Sequence, residues 1–356
     1  MRRGVEEGRD PVKAVIMAGG QGTRLKAVTG ERPKPLVPLL GRPLMEHILL
    51  LLKKHGFTDV CAAVKYRAED IMDCFGDGSR LGLQLQYRVE ERPLGTAGSV
   101  KNCADFIGDE DVLVISGDAA CDFDLSQLLQ RHRESRAAVT LALYRNPEPL
   151  RYGLTVTGDD GRVRAFIEKP GWDRVVTDLV NTGIYVLSPE ALACIPADRA
   201  FDFAKDLFPM LLKQDRLLLG VPMEGYWCDV GTPLSYYRCC VDALEGRLAL
   251  PVPEAFRPAA AAEEPADTEA AAARLECPCR SRAELMGALS RCMLEMDADY
   301  SDGIRLDTGR FRLHIAPLAQ RSAIRIDVDA PDAEFARELA ISARDLARAL
   351  EGDPRS

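Results

Sequence analysis

A chain of 356 residues with a net charge of −9 has room for about two domains and a large core. Its hydrophobic and charged fractions, 47% and 28%, are those of a soluble globular protein, and no apolar run approaches the roughly 18 residues that a membrane span needs. The acidic balance argues against a nucleic-acid surface, which demands a basic face. Met1-Arg2-Arg3 has no apolar stretch behind it, so no signal peptide is expected. The 11 cysteines fall mostly inside apolar segments and read as buried thiols of a reducing cytoplasm. Cys277-Pro278-Cys279 lacks the second ligand pair that a zinc site requires.

After a polar start over residues 1–11, the run Ala14–Met17 predicts a buried strand that breaks at Gly19, Gly20 and Gly22. Pro43–Gly56 carries Leu44, Ile48, Leu51 and Leu52 at helical spacing and stops at a glycine. Asp59–Val64 predicts a second strand and Glu69–Phe75 a second helix, and Leu83, Leu85, Tyr87 and Val89 alternate as a third strand does. Turn residues from Glu90 to Ser99 lead into a helix over Val100–Phe106, and the apolar strand Asp111–Ile115 ends at Ser116-Gly117-Asp118. Strands alternating with helices predict an α/β domain with a largely parallel sheet, whose ligands sit at the carboxyl ends of the strands. Three such ends carry notable residues: the glycine loop, the Leu94–Gly98 turn and Asp118. Further strands are expected at Ala137–Leu143, Leu154–Thr157, Val163–Ile167, Val180–Val186 and Val221–Glu224, with helix before Leu212. Residues 251–275, rich in Ala, Pro and Glu, read as a linker.

The glycine loop is the centre of the reading. Glycines bring backbone N–H groups close to a ligand, and successive N–H groups make an anion-binding concavity. Arg24 and Lys34, the latter between Pro33 and Pro35, add two cations suited to polyphosphate. The loop is no Walker A motif, because Gly22 is followed by Thr23-Arg24 and not by Lys-Ser/Thr. Nor is it the dinucleotide fingerprint, which would need a third glycine near Leu25 or Lys26. Asp118 and Asp229, each in a glycine-bounded turn at a strand end, are the candidate ligands of a magnesium ion, which takes one or two carboxylates plus phosphate oxygens and water. Each alone would pass for an ordinary turn aspartate. Lys169, in Glu168-Lys169-Pro170, puts a cation where a sugar phosphate could sit. His47, His55, His132 and His314 show no partner pattern, and no nucleophile–base pair is visible.

The stretch AGGQGTRL…RPKPLVP resembles the signature of the sugar-1-phosphate nucleotidylyltransferases, with Ala27 where many members carry proline. The resemblance runs from about Lys13 to Leu250 and is closest to bacterial mannose-1-phosphate guanylyltransferases fused to phosphomannomutase-like domains, through segments such as ISGDAACDFDL and EGYWCDVG. It implies a Rossmann-like mixed, mainly parallel sheet over 12–250. By matching position it implies nucleotide contacts at Gly19, Gly20, Gly22, Thr23, Glu91, Gly95 and Thr96, and sugar-phosphate contacts at Gly153, Glu168, Lys169, Asn181 and Thr182. It implies Mg2+ on Asp118 and Asp229, and Arg24 and Lys34 as the catalytic cations. The partners expected are a nucleoside triphosphate and a sugar 1-phosphate, with no nucleic acid and no membrane. Guanine and mannose follow from the resemblance only; another hexose or heptose 1-phosphate, or a catalytically silent sugar-nucleotide-binding subunit, is the alternative.

Residues 276–352 predict a helix (Arg282–Met296), a hairpin (Ile304–Asp307 and Arg310–Ala316), a strand (Ala323–Val328) and a helix (Ala333–Leu350), a small α+β domain. It resembles the last domain of a phosphohexomutase. The mutase phosphate loop is replaced by Ala316–Ser322 and the central mutase domains have no counterpart, which opposes mutase activity. The domain is read as a remnant that packs, regulates or joins copies into a homo-oligomer.

Overall fold

The computed structural model describes residues 12–20, 22, 25, 32–146, 149, 152–168, 175–197, 199–244, 246–250, 271–279, 285–286, 289, 298–299, 303–307, 311–318, 323–330 and 333–351. The chain divides into two compact units: 1–21, 33–38 and 42–229 form the first, and 22–32, 39–41 and 230–356 the second.

The first unit is built on a mixed nine-stranded sheet. Its opening strands are β1 (Lys13–Ala18), β2 (Asp59–Val64), β3 (Gln84–Val89) and β4 (Val112–Ser116). They pair in parallel in the order β3-β2-β1-β4, with Ala14 opposite Val60 and Met17 opposite Ser116. Helices α1 (Leu44–Lys54), α2 (Ala68–Phe75), α3 (Gly95–Lys101) and α4 (Ala104–Ile107) make the crossovers. Both faces of this half are covered at β1, β2 and β4, so those three read as unbroken apolar runs, whereas β3 alternates. Ala14, Ile16, Leu113 and Ile115 face a core shared with Met45, Ile48, Leu49 and Leu52 of α1. Val15, Cys61, Val112 and Val114 face the opposite core with Ala97 and Val100 of α3. The expected helix over Val100–Phe106 is two helices. The first starts five residues earlier than read, because the Ala97 and Gly98 N–H groups donate to the Phe201 carbonyl and the Thr96 N–H to the Asp202 carboxylate, which local propensity does not register.

Beyond β4 the chain makes β5 (Ala119–Cys121), helix α5 (Leu125–Ser135), which the sequence reading did not assign, and then β6 (Val139–Arg145), β7 (Gly153–Thr157), β8 (Val163–Glu168) and β9 (Leu179–Leu187). Helices α6 (Pro189–Ala193) and α7 (Phe208–Lys213), a π-turn at Phe203–Leu207 between them, lead to β10 (Leu218–Pro222) and β11 (Trp227–Asp229). β9 runs antiparallel to β6 along one edge and to β4 and β7 along the other, and β10 lies parallel to β6. In β9 the register shifts between Asn181 and Tyr185, an irregularity that re-aims side chains and is favoured beside functional sites. β5 and β11 pair off the main sheet as a short antiparallel ribbon.

In the second unit, β12 (Ala271–Pro278), β13 (Ala298–Asp299), β14 (Ile304–Asp307), β15 (Arg312–Pro317) and β16 (Ala323–Ala330) form an antiparallel sheet in the order β12-β16-β15-β14-β13. Tyr237 and Val241 of α8 (Pro233–Leu244) share one core with Ile324, Ile326 and Val328 of β16 and with Ala336, Leu339 and Ala340 of α9 (Ala333–Glu351). β12 starts at Ala271, inside the stretch read as a linker to residue 275. An alanine run carries no strand signal of its own; an eight-residue ladder to β16, Ala271 opposite Ala330 and Pro278 opposite Ala323, makes it one. The rest of that linker, 251–270, and most of the expected helix Arg282–Met296 lie outside the described residues.

Among the described residues, no helix is long and apolar enough to cross a membrane.

Candidate functional site

The sheet order reverses between β1 and β4, and in open α/β sheets that switch point opens a crevice at the carboxyl ends of the strands. Gly19 and Gly20 follow β1 there, and Gly117 and Asp118 follow β4. The two ends are tied by a 2.9 Å bond from the Gly117 N–H to the Met17 carbonyl. A side chain at 117 would place its Cβ 2.9 Å from that same oxygen, so the glycine lets the β4 end close on β1.

Lys34 enters from a single 3-10 turn, Lys34–Leu36, framed by Pro33 and Pro35. The turn is anchored by the Val37 N–H to the Lys34 carbonyl at 3.1 Å and by the Leu44 N–H to the Val37 carbonyl at 2.8 Å. Its Nζ lies 2.7 Å from Oδ2 of Asp118 and 3.4 Å from Oδ1 of Asp229, and the lysine side chain is only 8% exposed. Asp118 and Asp229 meet because the ribbon of β5 and β11 sets Asp229 opposite Ala119. The Ser116 hydroxyl donates to Oδ1 of Asp118 at 2.6 Å. Desolvation pushes the Asp118 carboxyl up, but the charge and hydrogen bond of Lys34, with the Ser116 bond, outweigh it and hold the group below the ordinary carboxylate range. Two carboxylates converging on one cation are a donor set that a magnesium ion with phosphate oxygens and water would complete. No larger cluster of His, Cys, Asp or Glu suited to a metal is found among the described residues.

Trp227 holds the ribbon in place. It is 5% exposed, its ring lies edge-on to Tyr152 at 5.3 Å and tilted to Tyr144 at 5.9 Å, and its Nε1 donates to the Thr182 carbonyl at 3.1 Å. That bond links the strand of Asp229 to Asn181-Thr182-Gly183 at the register shift of β9. Asn181 Oδ1 accepts from the Gly183 N–H at 3.1 Å and the Tyr185 hydroxyl at 2.9 Å. Thr182 is turned inward: its hydroxyl donates to the Ala142 carbonyl at 2.7 Å and the residue is 3% exposed, so its side chain serves the fold. Gly153 and Glu168 are cross-strand partners, with Oε2 of Glu168 just 3.1 Å from where a Cβ on Gly153 would stand.

On the other side of the glycine loop, Thr96 is likewise occupied. Its hydroxyl donates to Oδ1 of Asp202 at 3.1 Å and accepts from the Phe203 N–H at 3.0 Å. Gly95 has φ +73°, and a Cβ there would lie 2.7 Å from the Phe201 carbonyl oxygen. Gly95→Ala is expected to cost about 2–3 kcal/mol from left-handed strain and overpacking, read as a lower urea midpoint at unchanged slope. A loss below about 0.5 kcal/mol would show that the loop relaxes freely.

The acidic residue beside Gly19 is Glu90. Glu91 is exposed, whereas Glu90 is 7% exposed. Glu90 Oε1 accepts from the Ser99 hydroxyl at 2.5 Å, Oε2 faces the Leu94 N–H at 3.4 Å, and Oε1 lies 3.2 Å from where a Cβ on Gly19 would stand. A strand-ending Glu-Glu pair gives no local sign of which carboxylate turns inward. Thr23, Arg24 and Lys169 lie outside the described residues. The structure therefore brings together Gly19, Gly20, Lys34, Asp118 and Asp229, and places Gly153 beside Glu168 on the β7–β8 pair.

The family model for nucleotidyl transferases matches residues 13–246. A UTP–glucose-1-phosphate uridylyltransferase of Synechocystis sp. is 36% identical over 240 residues, 64% of this chain and 62% of the relative. A mannose-1-phosphate guanylyltransferase of Mycobacterium tuberculosis is 38% identical over 236 residues, 66% of this chain and 65% of the relative. The chain thus spans a little under two thirds of the length of these curated relatives. Among solved structures, HddC from Yersinia pseudotuberculosis, complexed with GMP-PN, superposes with a TM-score of 0.57 at 29% identity, covering 65% of this chain and 99% of that one. A crystal structure from Bacillus anthracis, described as a glucose-1-phosphate thymidylyltransferase, gives 0.60 at 26% identity, covering 65% and 95%. With a matching family model over most of its length and a parallel sheet that carries the glycine loop at its switch point, the chain belongs to the nucleotidyl transferase family, among the sugar-1-phosphate nucleotidylyltransferases.

Proposed function

We propose that the protein transfers a nucleotidyl group from a nucleoside triphosphate to a sugar 1-phosphate, releasing pyrophosphate, and that its substrates are GTP and mannose 1-phosphate. The observation that carries the reading is the convergence of Lys34, Asp118 and Asp229 beside the glycine loop, a cation and two carboxylates at the place where a triphosphate would meet the β1 end. An oxygen of the sugar phosphate attacks the α-phosphorus in line as the bond to pyrophosphate breaks. Little covalent work falls to the protein, so positioning and charge stabilisation dominate. The N–H groups of Gly19 and Gly20 cradle the phosphates, Arg24 stabilises the departing pyrophosphate, and Lys34 holds the α-phosphate and the incoming phosphate together. Asp118 and Asp229 would hold Mg2+, which when bound supplies positive charge to the α-phosphate and the leaving group. Glu168, Lys169, Asn181 and the backbone at Gly153 are assigned to the sugar phosphate.

Guanine and mannose are supported by the Mycobacterium tuberculosis relative and by the GMP-PN complex of HddC; the Synechocystis relative supports uracil and glucose instead. Pyrophosphate release with magnesium, across GTP, UTP, dTTP, CTP and ATP against mannose, glucose and related 1-phosphates, decides between them. Turnover confined to GTP and mannose 1-phosphate is the expected result. Turnover with UTP and glucose 1-phosphate would replace the substrate pair, and silence throughout with nucleotide still bound would replace catalysis by a regulatory role.

A further inference from the structure

We propose that the Lys34 ammonium is a placeholder for the divalent cation: it bridges Asp118 and Asp229 in the free enzyme and gives them up when a nucleotide's phosphates offer it another anion. This rests on the reading of Asp118 and Asp229 as the metal-binding pair. The ammonium stands where the two carboxylates converge, 2.7 Å from one and 3.4 Å from the other. It is not a lysine that wanders there. Its backbone is fixed in a proline-framed turn hydrogen-bonded to the start of α1, and its side chain is 8% exposed. A carboxylate ligand of magnesium sits about 2.0–2.1 Å from the ion, so a metal that bridges both aspartates would stand where the ammonium now stands. Like charges a few ångströms apart repel, the more so because the lysine side chain is only 8% exposed.

Metal entering alone must therefore expel a buried ammonium that has no third ion-pair partner among the described residues. Metal entering with a triphosphate meets no such barrier, because the lysine moves from carboxylates to phosphate. The two ligands are then coupled, and by reciprocity each tightens the other. The lysine charge keeps the free enzyme from holding metal without substrate, and the same charge serves the phosphates once they arrive.

The test separates metal affinity from turnover. Mn2+ alone is titrated into the full chain without nucleotide and free ion is read by electron paramagnetic resonance. Lys34→Met is expected to bind Mn2+ about tenfold or more tighter than wild type, although its turnover falls. Its melting temperature should rise on adding Mn2+, while that of the wild type stays put. If Lys34→Met does not fold, Lys34→Gln, which keeps a donor toward Asp118, takes its place. Equal or weaker Mn2+ binding by the variant overturns the placeholder. The metal reading itself is checked with Asp118→Asn and Asp229→Asn in the presence of a non-hydrolysable nucleotide. If Mn2+ binding there still depends on both aspartates, only the placeholder has failed; if neither matters, the metal assignment falls and the placeholder with it.

Discussion

Asp118→Asn is expected to lower magnesium-dependent kcat/KM by about 10²–10³ while the chain stays folded, as removal of one preorganised electrostatic group does in other active sites. The asparagine keeps the shape and can still accept from Ser116, so the turn after β4 has no reason to move. What it loses is one negative charge of the pair facing Lys34. Lys34 retains Asp229 at 3.4 Å, and the Asp118 side chain is 38% exposed, so the stability cost is set at about 1–2 kcal/mol, well below that of breaking a fully buried pair. Circular dichroism and a urea titration check the fold, and pyrophosphate release checks the rate. Unchanged turnover would remove Asp118 from the machinery. Ser116→Ala, which leaves the charge in place and frees only the carboxylate's orientation, is expected to cost about tenfold or less, a graded result that a purely structural Asp118 would not give.

Trp227→Ala is expected to have the largest effect on stability, about 3–5 kcal/mol in a urea titration, the range for a buried aromatic emptied to alanine. The ring fills the space between Tyr144 and Tyr152 and is 5% exposed. Its N–H is also the partner of the Thr182 carbonyl, which would be left without that bond. Two residues on stands Asp229, which the short ribbon to β5 carries. Activity should therefore fall further than lost stability explains, with KM for the sugar phosphate rising as the Asn181 segment of β9 loosens. Trp227→Phe restores most of the ring but not the donor and should cost about 1–3 kcal/mol. A Trp227→Ala protein within 1 kcal/mol of wild type would show that the ribbon is held elsewhere.

Much of the first unit was readable because its signals are local. An apolar run that ends in glycines, with helices at 3.6-residue spacing between such runs, specifies a parallel sheet before any contact is known. Strand bounds at Asp59–Val64 and the ends of β1 and β4 came out close to the structure for that reason. The hydrogen bonds of the Thr96 and Thr182 hydroxyls within the fold are not legible in the same way, because their partners, Asp202 and Ala142, lie far off in the sequence. Nor is the inward turn of Glu90, which depends on Ser99 and Gly19 closing over its carboxylate. β12 was missed because alanines become a strand only when a partner strand supplies the ladder.

The sequence by itself determined the alternation of strands and helices, the glycine loop at the first strand end, and the family to which those residues belong. The tertiary structure alone decided the site's centre. Lys34 lies 84 positions from Asp118 and 195 from Asp229, and no local preference reaches across such distances. They meet because β4 pairs with β1 at the sheet's switch point and because the β5–β11 ribbon sets Asp229 beside Ala119. Pairing between distant strands is a property of the packed whole, since the backbone groups of each strand are satisfied by whichever partner the core brings alongside.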